Sequence, residues 1–203
     1  MITKDIKNIH KAYFLGIGGI GMSALARYFK HLGASVSGYD KTPTGLTNEL
    51  ELEGIPVHFE EDINKIPQDA DLVVYTPAIP HYNKEFIHLK QKGKIYKRAE
   101  ILGLITRDVF TIAIAGTHGK TTITSMIAHI LKSAGKDVFS FMGGISKNYR
   151  TNLLLSEKNT IAVVEADEFD RSFLQLHPDI AVISSMDADH LDIYGDKNYM
   201  IES

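Results

Sequence analysis

The sequence has no cysteine. That excludes disulfides and thiolate chemistry, and it fits a reducing compartment. Charge of one sign is also lacking. The 22 basic and 25 acidic residues are interspersed and leave a formal net charge of -3, so the electrostatic footprint of a nucleic-acid binder is missing and no such partner is expected. No apolar run is long enough to span a bilayer, and residues 1–11 are polar and charged rather than a signal peptide. Membrane insertion is therefore not expected, and a soluble cytoplasmic protein is the default. Internal repeats and low-complexity segments are absent as well. Apolar residues, in contrast, make up 44% of the 203 positions, enough to build one large core or two small ones.

The most informative stretch is residues 112–122, Ile-Ala-Ile-Ala-Gly-Thr-His-Gly-Lys-Thr-Thr. It reads as an apolar strand, a tight turn and a helix start. Ile123, Met126, Ile127, Ile130 and Leu131 then fall at i, i+3, i+4, i+7 and i+8, one apolar stripe of a helix. A turn that exposes backbone N–H groups at a helix N-terminus is an anion site. Lys120 adds a full positive charge, and the Thr121 hydroxyl suits a magnesium ion bridging phosphates. The general phosphate-loop pattern wants glycine at position 114, where isoleucine stands, so the loop is a compressed form running over Gly116, Thr117, His118, Gly119, Lys120, Thr121 and Thr122. The bland alternative is a plain strand-to-helix turn with a surface lysine. Strand, Gly-Lys-Thr-Thr and striped helix agree in order, and a nucleoside triphosphate is the expected ligand.

A second glycine turn lies near the N-terminus. A buried strand at 12–15 runs into Gly16-Ile17-Gly18-Gly19-Ile20-Gly21-Met22-Ser23, and Met22, Leu25, Ala26 and Phe29 mark a helix ending near Gly33. A strand at 35–39 stops at Asp40, about twenty residues past the glycines, as in dinucleotide-binding units. Two readings of Asp40 are open: a cap or turn residue, or a hydrogen-bond partner of a ribose or base. The chain continues in α/β style, with a helix at 46–53, strands at 55–59 and 71–75, a helix at 86–92, an edge strand at 95–96 and a helix at 99–106. Thr76 and His81 flank the proline-bounded loop after the fourth strand, where a plain turn and a ligand contact are equally open. The expected domains are 1–107 and 108–203, divided at the charged pair Arg107-Asp108.

In the second domain, strands are expected at 137–141, 160–164 and 180–184. The strand at 160–164 ends on Glu165-Ala166-Asp167-Glu168-Phe169-Asp170, four carboxylates in six residues, which repel unless a cation is near. Glu165, at the strand end beside a phosphate loop, is the expected magnesium ligand, and the others read as a solvated acidic loop. His190 sits in a second acidic loop after the last strand, where a structural role and a second metal-ligand role are both open.

Together these motifs resemble the Mur ligases, ATP-dependent amide-forming enzymes of peptidoglycan synthesis. The matching stretches are Gly-Ile-Gly-Gly-Ile-Gly-Met-Ser at 16–23, Arg-Ala-Glu at 98–100, Gly-Thr-His-Gly-Lys-Thr-Thr at 116–122, Glu-Ala-Asp-Glu at 165–168 with Ser-Phe-Leu at 172–174, and Asp-His-Leu-Asp at 189–192. The resemblance implies a Rossmann-like parallel-sheet N-terminal domain followed by a truncated P-loop α/β domain. It implies UDP-N-acetylmuramate and L-alanine as substrates, with ATP and Mg2+ as cofactors. Gly18, Gly19, Ile20, Gly21 and Met22 would surround the diphosphate and Asp40 would face the uridine, while Thr76 and Asn152 match positions near that substrate. Lys120 would neutralise the β- and γ-phosphates; Thr121 and Glu165 would hold one magnesium and His190 another. Phe169 departs from a small residue common in the family, and Met186-Asp187 from its frequent Asn-Ile-Glu.

Two other readings compete. A murein tripeptide ligase would use the same sugar nucleotide, but its glycine loop usually carries a cysteine. An NAD-dependent oxidoreductase would leave Lys120, Glu165 and His190 without work. Family members carry a third, amino-acid-binding domain, so the chain is expected to be a fragment that binds the UDP-sugar, binds ATP weakly and releases no phosphate with L-alanine. Apolar surface around Ile161, Val163, Ile180 and Val182 is expected to be under-buried.

Overall fold

The stretch before the first glycine turn is a strand covered on both faces: Ala12, Tyr13, Phe14 and Leu15 are all fully buried. It opens a computed structural model that describes residues 6–93, 95–167 and 169–185. The chain divides into two compact units, Met1–Ile101 and Leu102–Ser203. Both are α/β, as expected.

The first unit runs β1 (Lys11–Leu15), α1 (Ile20–His31), β2 (Ser35–Tyr39), α2 (Gly45–Leu52), β3 (Val57–His58), β4 (Leu72–Tyr75), α3 (Lys84–Lys92), β5 (Tyr96–Lys97) and the start of α4 (Arg98–Thr106). Its sheet is all parallel in the order β3-β2-β1-β4-β5. The order reverses between β1 and β4, which leaves a crevice at the carboxyl ends of the strands where open α/β sheets bind ligands. Local signals set the helices. Thr44 caps α2 in a reciprocal box with Thr47, and Asn83 caps α3 through the N–H of Phe86. Glu85, in the first turn of α3, is fully buried and accepts from the Tyr13 hydroxyl, His58 Nε2 and the backbone N–H of Asp62. It ties α3 to β1 and to the segment after β3. Burial and the neighbouring Glu85 carboxylate push the Tyr13 phenol far above its ordinary value. β3 is shorter than the expected 55–59 because Ile55 turns into the core, its N–H bonding Leu50 O at 2.8 Å.

The second unit continues from α4 through β6 (Phe110–Ala115), α5 (Lys120–Ser133), β7 (Val138–Ser146), β8 (Thr151–Leu154), β9 (Ile161–Glu165), a 3-10 helix (Phe169–Gln175) and β10 (Ile180–Ile183). The sheet order is β10-β6-β9-β7-β8, parallel except for the β7–β8 hairpin.

Three details differ from expectation. Gly143-Gly144 does not end the strand: β7 runs on to Ser146 and pairs with the unexpected β8, its register shifting between Phe141 and Ser146. The apolar stripe of α5 is only half used. Ile123, Ile127 and Leu131 pack on the core beside Ala128, whereas Met126 and Ile130 are 57% and 60% exposed. Small Thr124 and Ala128 occupy the buried face and let the helix lie close to the sheet. Val163 is fully buried, not under-covered, because β9 is central in the sheet. Ile161 and Val182 are half-buried against the core, and of the four residues expected to be under-covered only Ile180, on edge strand β10, is exposed, at 45%, beside Ile183 at 62%.

Candidate functional site

In the first unit the glycine turn is held by its own protein. The backbone N–H groups of Gly16 and Ile17 donate to Tyr39 O at 2.8 and 3.0 Å, and that of Gly19 to Gly16 O at 3.2 Å. The N–H of Gly18 donates to Asp40 Oδ2 at 2.8 Å, while Asp40 Oδ1 accepts from the N–H of Thr42 at 3.1 Å. Asp40 thus acts as a turn residue and as a clamp on the loop at once. Thr76 closes over the turn from the end of β4: a Cβ on Gly16 would lie 2.4 Å from its Cγ2. The His81 ring lies tilted against the Phe86 ring, centroids 5.6 Å apart. The structure therefore gathers Gly18, Gly19, Ile20, Gly21, Met22, Asp40 and Thr76 at the carboxyl edge of the sheet. Met22 packs into the core and is only 2% exposed. Asn152 lies in the second unit, fully buried on β8.

The second unit's loop joins β6 to α5, which starts after Gly119 in the left-handed region at φ 83°, a conformation glycine adopts without strain. Lys120 Nζ donates to Gly116 O at 2.7 Å, which holds the ammonium over the loop. Thr121 Oγ1 donates to Glu165 Oε2 at 3.1 Å, and the Gly143 N–H donates to Glu165 Oε1 at 2.6 Å. The close approach of β7 needs the glycine, since a Cβ there would lie 2.4 Å from Oε2. Burial pushes the Glu165 carboxyl above the ordinary glutamate value, against the opposing pull of the Gly143 N–H, the Thr121 hydroxyl and the Lys120 charge. His118 and Thr122 are exposed at the loop rim and Thr117 is buried.

Ser184 and Ser185 were not singled out from the sequence, and they brace this loop. Ser184 Oγ bonds Ala115 O at 3.1 Å and His118 O at 2.5 Å. Ser185 O accepts the N–H of Thr117 at 3.2 Å, and Ser185 Oγ bonds Thr117 Oγ1 at 2.8 Å and accepts the N–H of His118 at 3.1 Å. The signal was two hydroxyls after an apolar strand; its meaning needed the pairing of β10 with β6. Among the described residues no three His, Asp or Glu side chains come together to hold a metal. The donor set in place is a hydroxyl and a half-buried carboxylate, hard oxygens of the kind magnesium takes alongside water and phosphate. His190 lies outside the described residues.

Two family models match the chain in succession, one mostly over the first unit and one within the second. The model described as Mur ligase family, catalytic domain, matches residues 11–109, and the Mur ligase middle domain matches residues 114–203. The chain belongs to the Mur ligase family. A Mur ligase of Flavobacterium johnsoniae named UDP-N-acetylmuramate–L-alanine ligase is 58% identical over 196 residues, covering 94% of this chain and 43% of its own length. The crystal structure of the UDP-N-acetylmuramate–alanine ligase of Thermotoga maritima superposes with a TM-score of 0.83 at 34% identity, over 91% of this chain and 43% of that one. The UDP-N-acetylmuramate:L-alanyl-γ-D-glutamyl-meso-diaminopimelate ligase of Neisseria meningitides gives the same TM-score at 28% identity, over 92% and 63%. The chain thus spans less than half the length of the curated Mur ligases it matches.

Proposed function

We propose that this chain supplies the sugar-nucleotide and ATP units of a cytoplasmic ligase that joins L-alanine to UDP-N-acetylmuramate in peptidoglycan synthesis. The observation that carries the reading is the Lys120–Thr121–Glu165 constellation, a phosphate loop whose hydroxyl reaches a half-buried carboxylate at a strand end. In this reading the first unit binds the UDP moiety at the glycine turn and the second binds ATP. The muramyl carboxylate oxygen attacks the γ-phosphorus, the bond to the bridging oxygen breaks, and ADP leaves with the electron pair. The amine of L-alanine then attacks the acyl carbon, inorganic phosphate departs and the nitrogen loses a proton. Lys120 offsets charge on the migrating phosphoryl group, and the loop N–H groups fix its direction. Thr121 and Glu165 would hold magnesium, with His190 as a further ligand; the ion supplies charge neutralisation on the phosphate oxygens.

Calorimetry on this chain with UDP-N-acetylmuramate, NAD and NADP tests the first half. Binding of the UDP-sugar is expected; tight NAD binding without it overturns the reading. The choice of acceptor is tested by phosphate release in a protein spanning the full length of its relatives. Release with L-alanine is expected, and release with the tripeptide alone would assign the murein tripeptide ligase activity instead.

A further inference from the structure

The first glycine turn presents a charge problem. A nucleoside diphosphate carries at least two negative charges, yet residues 16–23 contain neither lysine nor arginine. The N–H groups of Gly16, Ile17, Gly18 and Gly19 are already committed to Tyr39 O, Asp40 Oδ2 and Gly16 O, and Asp40 brings a negative charge to the loop. The first turn of α1 carries no acidic residue, but the partial charge of a helix end alone amounts to roughly half a unit. A full cation is needed.

The fold brings one there. Arg98 is the first residue of α4, directly after β5, and β5 pairs with β4 so that Lys97 lies beside Tyr75 at the carboxyl edge of the sheet. Its side chain reaches across to the second residue of α1: a Cβ on Gly21 would lie 2.8 Å from Arg98 Nη1, 3.0 Å from Cδ and 3.2 Å from Cζ. The guanidinium occupies the space that a side chain at position 21 would fill. Glu100 Oε2 accepts the N–H of Lys97 at 2.7 Å, which fixes the start of α4 and with it the origin of the Arg98 side chain, itself half-buried. A planar fork held beside the first turn of α1 suits two phosphate oxygens better than a mobile lysine would.

We infer that Arg98 binds the diphosphate of the sugar nucleotide, as the cation that the glycine turn itself lacks, and that Gly21 is there to admit its guanidinium. This rests on the reading that the first unit takes a UDP-sugar. It also predicts a division of labour within the ligand: the pyrophosphate depends on Arg98 and the nucleoside does not.

The test compares UDP with uridine as ligands of this chain, by calorimetry and ligand-observed NMR, in the wild type, Arg98→Gln and Arg98→Lys. Arg98→Gln is expected to weaken UDP on the order of tenfold to a hundredfold, the usual worth of a charge-assisted contact, to leave uridine unchanged and to flatten the salt dependence of UDP binding. Arg98→Lys should fall between. Gly21→Ala, which displaces the guanidinium without removing it, should weaken UDP and spare uridine. Equal UDP affinity in Arg98→Gln and wild type overturns the inference, as does an equal loss of UDP and uridine, which would make Arg98 a packing residue. A wild-type chain that ignores UDP sinks the sugar-nucleotide reading and this inference with it.

Discussion

The two glycine turns of this chain follow strands of parallel sheets and open helices, yet they are built on opposite plans. In the first, α1 follows Gly19 in ordinary extended geometry, φ -65° and ψ 144°, and the turn is consumed by internal hydrogen bonds. The groups proposed to meet a ligand come from the ends of four strands: the helix start after β1, Asp40 after β2, Thr76 after β4 and Arg98 after β5. In the second, Gly119 takes the left-handed conformation, and the lysine is the first residue of the helix. Charge, hydroxyl and N–H groups are concentrated in seven consecutive residues, 116–122. In the first turn the room for a side chain varies by position, from none at Gly16, where a Cβ would lie 2.4 Å from Thr76 Cγ2, to ample at Gly19.

Substitution of the glycines should expose that contrast most sharply. At Gly116, φ is 116°, and a Cβ would lie 2.4 Å from Ser184 Oγ and 2.7 Å from Ser185 O. Gly116→Ala is therefore expected to destabilise the second unit by about 2–4 kcal/mol and abolish ATP binding. Gly19→Ala meets nothing nearer than 3.5 Å and should cost under about 1 kcal/mol. Urea denaturation of both variants checks this, and equal penalties would erase the distinction. Next in size, Lys120→Ala should weaken ATP by about 1.5–3 kcal/mol without affecting UDP, as read by calorimetry with each nucleotide. Ser185→Ala removes bonds to Thr117 and His118 and should weaken ATP by about 1 kcal/mol; unchanged affinity would make the brace ornamental.

The smallest effect concerns pH. Burial holds the folded Glu165 carboxyl above its ordinary value, so just above that value the native state keeps a proton the unfolded chain has lost. Stability of the nucleotide-free second unit then falls as pH rises through the window. Glu165→Gln should remove that slope and stabilise the empty unit at neutral pH by roughly 0.5 kcal/mol. Thermal melts at several pH values decide it, and an unaltered slope would assign the pH dependence to another group.

Most of the architecture could be read from periodicity and turn residues. The strand at 35–39 and the helices after both glycine turns stand where the apolar spacing puts them, because their signals are local. What escaped depends on who neighbours whom. Gly143-Gly144 reads as a strand end until β9 is seen to bring Glu165 against it. Ser184 and Ser185 read as loop residues until β10 pairs with β6. The α5 stripe misled in the opposite direction: Met126 and Ile130 have the right spacing, but the sheet takes the adjoining face lined by Thr124 and Ala128. Asp40 was legible as important, while its bond to the Gly18 N–H belongs to a loop geometry that no spacing rule encodes.

The short contact between the Gly143 amide and the Glu165 carboxylate has a spectroscopic consequence. A backbone proton held 2.6 Å, nitrogen to oxygen, from an anionic acceptor resonates well downfield of its neighbours and exchanges slowly with solvent. When the carboxylate turns toward another partner, that resonance moves upfield and its exchange quickens. One amide in the β7–β8 hairpin thus reports, with no label on the ligand, whether the Glu165 carboxylate keeps its present partner or has taken another.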